Sequence, residues 1–155
     1  MRVSIASDHA GFDQKQQLVA YLAEKGIEVD DCGPANDYRV DYPDYALLVA
    51  LEVAKGQADF GVLICGTGIG MAVTADKVPG IRAASITSPE FARLSRAHNN
   101  LNVITLSGRF VGIEMNMRIL DAFLATPFDG GRHAIRVNKI MALDGDTLPE
   151  PPELI

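Results

Sequence analysis

Alternation is the feature that most limits what this chain of 155 residues can fold into. Short apolar runs take turns with longer segments whose apolar residues recur every three or four positions. Arg2–Ser7 (RVSIAS) reads as a strand. Phe12–Lys25 reads as a helix, with Leu18, Val19 and Leu22 on one face and Gly26 as its stop. Ile27–Asp31 is a second strand, and Cys32–Arg39 a polar loop holding Gly33 and Pro34. Tyr42–Lys55 carries Ala46, Val49, Ala50 and Val53 at helical spacing, with Gly56 beyond its end. Phe60–Ile64 is a third strand, whose near-continuous apolarity predicts burial on both faces. The loop Cys65–Gly70 then leads into a helix over Met71–Lys77, and Ile81–Ile86 is a fourth strand. Ser88 as N-cap and Pro89 at the first helical position open a helix to about His98. Val103–Leu106 is a fifth strand, followed by helices over Gly112–Ala125 and His133–Ala142.

Five strands alternating with helices predict an α/β fold, a three-layer αβα Rossmann-like sandwich around a five-stranded parallel sheet. Residues 1–145 form one domain on this reading. The acidic, Pro-rich stretch Asp146–Ile155 is an extended tail, packed on a neighbour or disordered. Sheets of this kind bind ligands at the carboxyl ends of their strands. The places to look are therefore Asp8–Gly11, Cys65–Gly70, Thr87 and Ser88, and Ser107–Arg109.

Charge narrows the function classes. A net charge of -6 argues against nucleic acid or an anionic membrane as partner. Bound anions then require a local cluster of basic side chains and backbone N–H groups. No stretch has the features of a secretory leader or a membrane span, so the cytoplasm is the expected compartment and Cys32 and Cys65 are expected as free thiols.

The loop Cys65-Gly-Thr-Gly-Ile-Gly70 is the strongest chemical signal. It follows a buried strand and opens a helix. Its N–H groups form an anion site, and the same field favours a thiolate at Cys65. The alternative is a tight strand–helix turn around an inert Cys. A dinucleotide fingerprint needs G-x-G-x-x-G, whereas Gly66, Gly68 and Gly70 give G-x-G-x-G after the third strand instead of the first. A cysteine phosphatase loop needs Arg where Met71 stands. Asp8 and His9, at the end of the first strand, can polarise or protonate substrate oxygens, or merely start a helix. His98 closes a helix, where the dipole stabilises an imidazolium or where the residue simply caps. Arg132 and Arg136 share a helix face behind Gly130-Gly131, which suits a phosphate clamp or a solvated basic face. Arg109 is a further anion ligand or a surface ion-pair partner. His9, His98, His133 and the cysteines show no metal-ligand spacing, and no metal or cofactor is expected.

Six ordered blocks together resemble the ribose-5-phosphate isomerase B family, which includes galactose-6-phosphate and allose-6-phosphate isomerases. They are SDHAGF at Ser7–Phe12, DYPDYA at Asp41–Ala46, ICGTGIGM at Ile64–Met71, KVPGIRAA at Lys77–Ala84, LSRAHNN at Leu94–Asn100, and GGRH with RV at Gly130–Val137. The resemblance implies a homodimer, or a dimer of dimers, with active sites near the subunit interface. It implies that Cys65 removes the proton next to the substrate carbonyl, and that amides from Gly66 through Ile69 to Gly70 stabilise the enediolate. Thr67 would help move the oxygen proton and His98 would open the sugar ring. Asp8, His9, Tyr42 and Asn99 would contact the sugar, and Arg109, Arg132 and Arg136 its phosphate. Asp76, Ala72 and Asn100 depart from the family pattern, which usually has Asn, Ser and Asp there. Ribose 5-phosphate and ribulose 5-phosphate are the expected pair. Another aldose phosphate (tetrose, allose or galactose) is the alternative, and a non-catalytic sugar-phosphate-binding module is the reading from a different class.

Overall fold

The computed structural model describes residues 1–154 and contains five strands and six helices in alternation. They are β1 (Arg2–Ser7), α1 (Phe12–Glu24), β2 (Glu28–Asp31), α2 (Tyr42–Ala54), β3 (Phe60–Cys65), α3 (Ile69–Ala75), β4 (Ala83–Ser85), α4 (Pro89–Asn99), β5 (Val103–Ser107), α5 (Ile113–Ala125) and α6 (Arg132–Met141). All strand pairs are parallel, and the sheet order is β2-β1-β3-β5-β4. Helices cover both faces. Leu18 and Leu22 of α1, Ala92 of α4 and Ile119, Leu120 and Phe123 of α5 pack on one face with Ile5, Val62 and Ile64. Val49, Ala50 and Val53 of α2 and Met71 and Ala75 of α3 pack on the other with Ala6, Leu63 and Val103. This is the three-layer α/β sandwich expected from the alternation. The whole of β3 beyond Phe60 is buried, as its unbroken apolar run requires.

Several boundaries differ from expectation for identifiable reasons. The third helix begins at Ile69, two residues early, because Gly68 (φ 80°) supplies the left-handed turn that starts it. The fourth strand is only Ala83–Ser85: the Arg82 carbonyl accepts from both Asn102 and Val103 N–H, so regular pairing starts one residue later. Ser88 does cap α4, its Oγ accepting from Phe91 N–H at 3.2 Å. The tail through Leu154 has no regular secondary structure, and Ile155 lies outside the described residues. No helix is long and apolar enough to cross a membrane among the described residues.

The sheet order fixes where a ligand goes. From β1 the chain moves outward to β2 on one side and then to β3 on the other. A crevice opens at such a reversal, outside the carboxyl ends of the two central strands. Asp8–Gly11 and Cys65–Gly70 follow those two ends.

Candidate active site

Cys65 ends β3 and is buried, with 5% of its surface exposed. The Gly68 N–H donates to its Sγ at 3.1 Å. Thr67 is exposed, and its Oγ1 accepts from Ile69 N–H at 3.2 Å. The N–H groups of Gly70 and Met71, in the first turn of α3, have no acceptor within the helix. The loop therefore gathers one sulfur and a run of amide donors at the carboxyl end of β3, an arrangement suited to negative charge.

The neighbours come from three other elements. Asp8 is buried, and its Oδ1 accepts from Ala10 N–H (2.8 Å) and Gly11 N–H (3.1 Å), so one oxygen holds the turn into α1. The Nδ1 of His9 is sealed from solvent without a hydrogen-bond partner among the described residues. Tyr42, first residue of α2, lays its ring on Gly70: a Cβ there would meet ring atoms at 2.7 Å. Arg109 is exposed, with Cδ 3.4 Å and Nη1 3.6 Å from the position a Cβ on Gly66 would take. Its segment is anchored by groups the sequence reading missed. Gln14 Nε2 donates to the carbonyls of Gly108 (3.2 Å) and Val111 (2.8 Å), and buried Asn116 ties Gln14 Oε1 (2.6 Å) to the Ser107 carbonyl (3.0 Å). Polar residues on otherwise core-facing helix positions were the available signal.

The remaining predicted residues lie elsewhere. Helix α4 starts beside the carboxyl ends of the strands, spans roughly 16 Å at 1.5 Å per residue, and ends just before β5 begins. His98 and Asn99 in its last turn are thus at the amino edge of the sheet. The Asp129 N–H donates to the Ala97 carbonyl at 3.0 Å, which brings the start of α6 to the same edge. His98 and His133 stack there, centroids 4.2 Å apart and planes 6° from parallel. Arg132 and Arg136 of the same helix are exposed. Desolvation first, then His98 and the two arginines, hold His133 below the usual histidine range. One chain therefore brings together Asp8, His9, Tyr42, Gly66, Thr67, Gly68, Ile69, Gly70, Cys65 and Arg109, and keeps His98, Asn99, Arg132 and Arg136 at the far edge.

The fold also gathers potential metal ligands that sequence spacing did not reveal. Ligand atoms of His98, Asp129 and His133 lie within 4.8 Å of one another, as do those of Asp30, Cys32 and Glu52. The lone pairs of the two stacked imidazoles lie in parallel planes, so they run side by side and do not converge on a cation. Burial first, with Glu52 and Asp30 adding negative charge, pushes the Cys32 thiol up to about 12.

A second concavity lies away from Cys65. A groove of about 740 Å³ runs along the outer edge of β4, lined by Asp76, Ala83, Phe91, Asn99, Ile140 and Leu143 among others. Phe91 and Leu143 are 62% and 85% exposed. The carboxylate of Asp76 is at the far end of α3 from the loop, where its Oδ1 accepts from Ala83 N–H of the edge strand at 2.7 Å. Asn100 takes a left-handed conformation (φ 49°), which Asn tolerates well, and its Oδ1 accepts from Arg96 Nη1 at 2.9 Å.

A sequence model of the Ribose/Galactose Isomerase family matches residues 3–140. The chain belongs to that family. Ribose-5-phosphate isomerase B of Escherichia coli K12 is 46% identical over 143 residues, covering 92% of this chain and 96% of that one. The crystal structure of the ribose 5-phosphate isomerase from Thermotoga maritima superposes with a TM-score of 0.90 at 50% identity, covering 92% and 98% of the two chains. The Mycoplasma genitalium ribose-5-phosphate isomerase B, solved with bound ribulose 5-phosphate, gives 0.90 at 44% identity over 94% and 97%. Members of this isomerase family thus share both the fold and nearly the full length with this chain.

Proposed function

We propose that this protein is an aldose–ketose isomerase of sugar phosphates, interconverting ribose 5-phosphate and ribulose 5-phosphate in the cytoplasm. The observation that carries the reading is Cys65 Sγ at the carboxyl end of β3 with Gly68 N–H directed onto it at 3.1 Å. As thiolate, Cys65 takes the proton from the carbon next to the carbonyl. The enediolate that forms is anionic and is met by the loop amides from Gly66 to Gly70. Loss of one such donor costs ~3–4 kcal/mol of transition-state stabilisation. Thr67 passes the proton between the two substrate oxygens, and Asp8, His9 and Tyr42 hold the sugar. Arg109 takes part in holding the phosphate. No redox cofactor enters, because only protons move. Similarity to relatives named for ribose 5-phosphate favours that substrate over other aldose phosphates.

His98, Asn99, Arg132 and Arg136 reach this site from a second copy of the chain. Three observations support that arrangement. They sit at the amino edge of the sheet, β4 is an unpaired edge strand, and an apolar groove follows it. A two-fold axis beside β4 and perpendicular to the strands sets the two copies antiparallel, so the amino edge of one meets the carboxyl edge of the other.

The test is proton NMR of ribose 5-phosphate with the protein in deuterated water. Ribulose 5-phosphate, or deuterium at carbon two, is expected, and Cys65→Ala should abolish it while the protein stays folded. If folded wild-type protein produces no exchange with ribose 5-phosphate or with erythrose, allose and galactose phosphates, the isomerase reading is wrong.

A further inference from the structure

Three hydroxyl side chains lie beneath the Cys65 loop, and each holds one of its carbonyls. Ser107 Oγ donates to Gly66 O at 2.8 Å, Ser85 Oγ to Thr67 O at 3.1 Å, and Thr105 Oγ1 to Gly68 O at 2.7 Å. Thr105 is fully buried and Ser107 nearly so. Ser85 and Thr105 are paired across β4 and β5, and Ser107 is paired with Cys65 across β3 and β5. The three carbonyls are consecutive in the chain.

A trans peptide is planar, so a C=O and the N–H of the next residue point in opposite directions. Fixing Gly66 O toward the sheet fixes Thr67 N–H away from it. Fixing Thr67 O fixes Gly68 N–H, the donor on Cys65 Sγ. Fixing Gly68 O fixes Ile69 N–H, which holds Thr67 Oγ1. Gly68 itself sits in a conformation (φ 80°) open to few residues, with room for no side chain above Ser85 Oγ and the Leu106 carbonyl. A loop with three glycines has little intrinsic stiffness; Arg109 N–H on Gly66 O and Ala72 N–H on Gly68 O, both at 3.2 Å, set part of these directions, and the hydroxyls set the rest, Ser85 alone holding Thr67 O.

We infer that Ser85, Thr105 and Ser107 are positioning residues for the reaction: they pin three successive carbonyls inward and thereby aim three successive N–H groups, one of them at the reacting sulfur. Ser107 has a second part, since its Oγ also accepts from Phe110 N–H at 3.0 Å and so ties the loop to the segment carrying Arg109. The inference rests on the Cys65 loop being the reacting site.

Thr105→Val removes the hydroxyl and keeps the shape; Thr105→Ser keeps the hydroxyl. Ser85→Ala, on the half-buried edge strand, is the second variant and repeats the test if Thr105→Val fails to fold. Two readouts are taken on each: amide hydrogen exchange of residues 66–69, and kcat and KM for ribose 5-phosphate. The expectation for Val and for Ala is loop exchange faster by about tenfold, kcat lower by about tenfold or more, and KM changed by less than about twofold, because a misaimed donor weakens the transition state more than the bound substrate. Thr105→Ser should return both readouts to near wild type. Unchanged loop exchange in Ser85→Ala and Thr105→Val overturns the inference, whatever kcat does, and so does a Thr105→Ser variant as impaired as Val. If wild-type protein proves inactive, faster loop exchange in the variants still bears out the pinning, and only the isomerase reading falls.

Discussion

The two cysteines show how much a residue's surroundings decide. Both are free, and the sequence offered no reason from composition to treat them differently. Cys65 stood out because glycines follow it directly at a strand-to-helix junction, a local pattern readable in one dimension. The upward shift of the Cys32 thiol was not readable, because it comes from partial burial beside Ser4 of β1, Glu52 of α2 and Asp30 of β2. With its thiol pushed up to about 12, Cys32 holds a negligible thiolate fraction at pH 8. In a Cys65→Ala background, native protein should therefore resist iodoacetamide at pH 8 for hours, whereas urea should expose Cys32 to rapid alkylation; mass spectrometry reads the difference. Rapid native modification would mean that this corner opens to solvent. Ser85 and Thr105 escaped notice for a similar reason, and Ser107 was marked only as a place where a ligand could bind. Each looks like an ordinary strand residue until the loop is folded over it.

At the scale of elements, the existence and type of all eleven segments followed from periodicity, and the N-terminal cap of α4 from Ser88 and Pro89. What did not follow was how neighbouring segments are tied. Lys15 of α1 is fully buried and donates to both carboxylate oxygens of Asp31 (2.6 and 2.8 Å) and to the Pro34 carbonyl (3.0 Å). Asp31 also accepts from Gly33 N–H at 2.9 Å, which fixes the loop after β2 that leads on toward Tyr42. The pair is asymmetric, because Asp31 is 33% exposed and Lys15 not at all. Asp31→Ala strands a buried ammonium and should cost about 3–5 kcal/mol. Lys15→Met leaves a carboxylate that water can reach and should cost less, about 1–2 kcal/mol. Urea unfolding of the two variants checks the order, and the reverse order would mean the lysine is held mainly by its packing. The α4–α6 contact has a pH signature. His133 is held below its ordinary value of 6.5, so between the two values the unfolded chain binds more protons than the folded one. That contribution is complete above about pH 6.5 and is lost as pH falls through the folded value. The melting temperature of the wild type should accordingly drop more between pH 6.5 and 5 than that of His133→Gln. Equal slopes would show that the stack does not discriminate against the imidazolium.

For the whole molecule, the hardest thing to read from the sequence was that candidate site residues fall at opposite edges of the sheet. Motif spacing lists Cys65, His98 and Arg132 together without regard to which end of a strand each helix terminus meets. Only the strand order and the direction of α4 separate them, since α4 runs back from the carboxyl edge to the amino edge. If the second copy supplies the missing half, each functional site combines Cys65 of one protomer with Arg132 of the other. That arrangement has a quantitative consequence. Homodimers of Cys65→Ala should then be inactive, and homodimers of Arg132→Ala severely impaired. Mixed and allowed to exchange subunits at equal concentration, half of the dimers carry one chain of each kind. Each such dimer pairs a native Cys65 with a native Arg132 at one site and two altered residues at the other, so the mixture should recover about a quarter of wild-type activity. Were both residues to serve the same site within one chain, every site in the hybrid would carry one lesion and mixing would restore nothing. The recovery must also grow with the rate of subunit exchange, which tagged-chain pull-down measures independently. Recovery tracking hybrid formation would establish that the functional unit is the pair, with Cys65 and Arg132 of one site drawn from different chains.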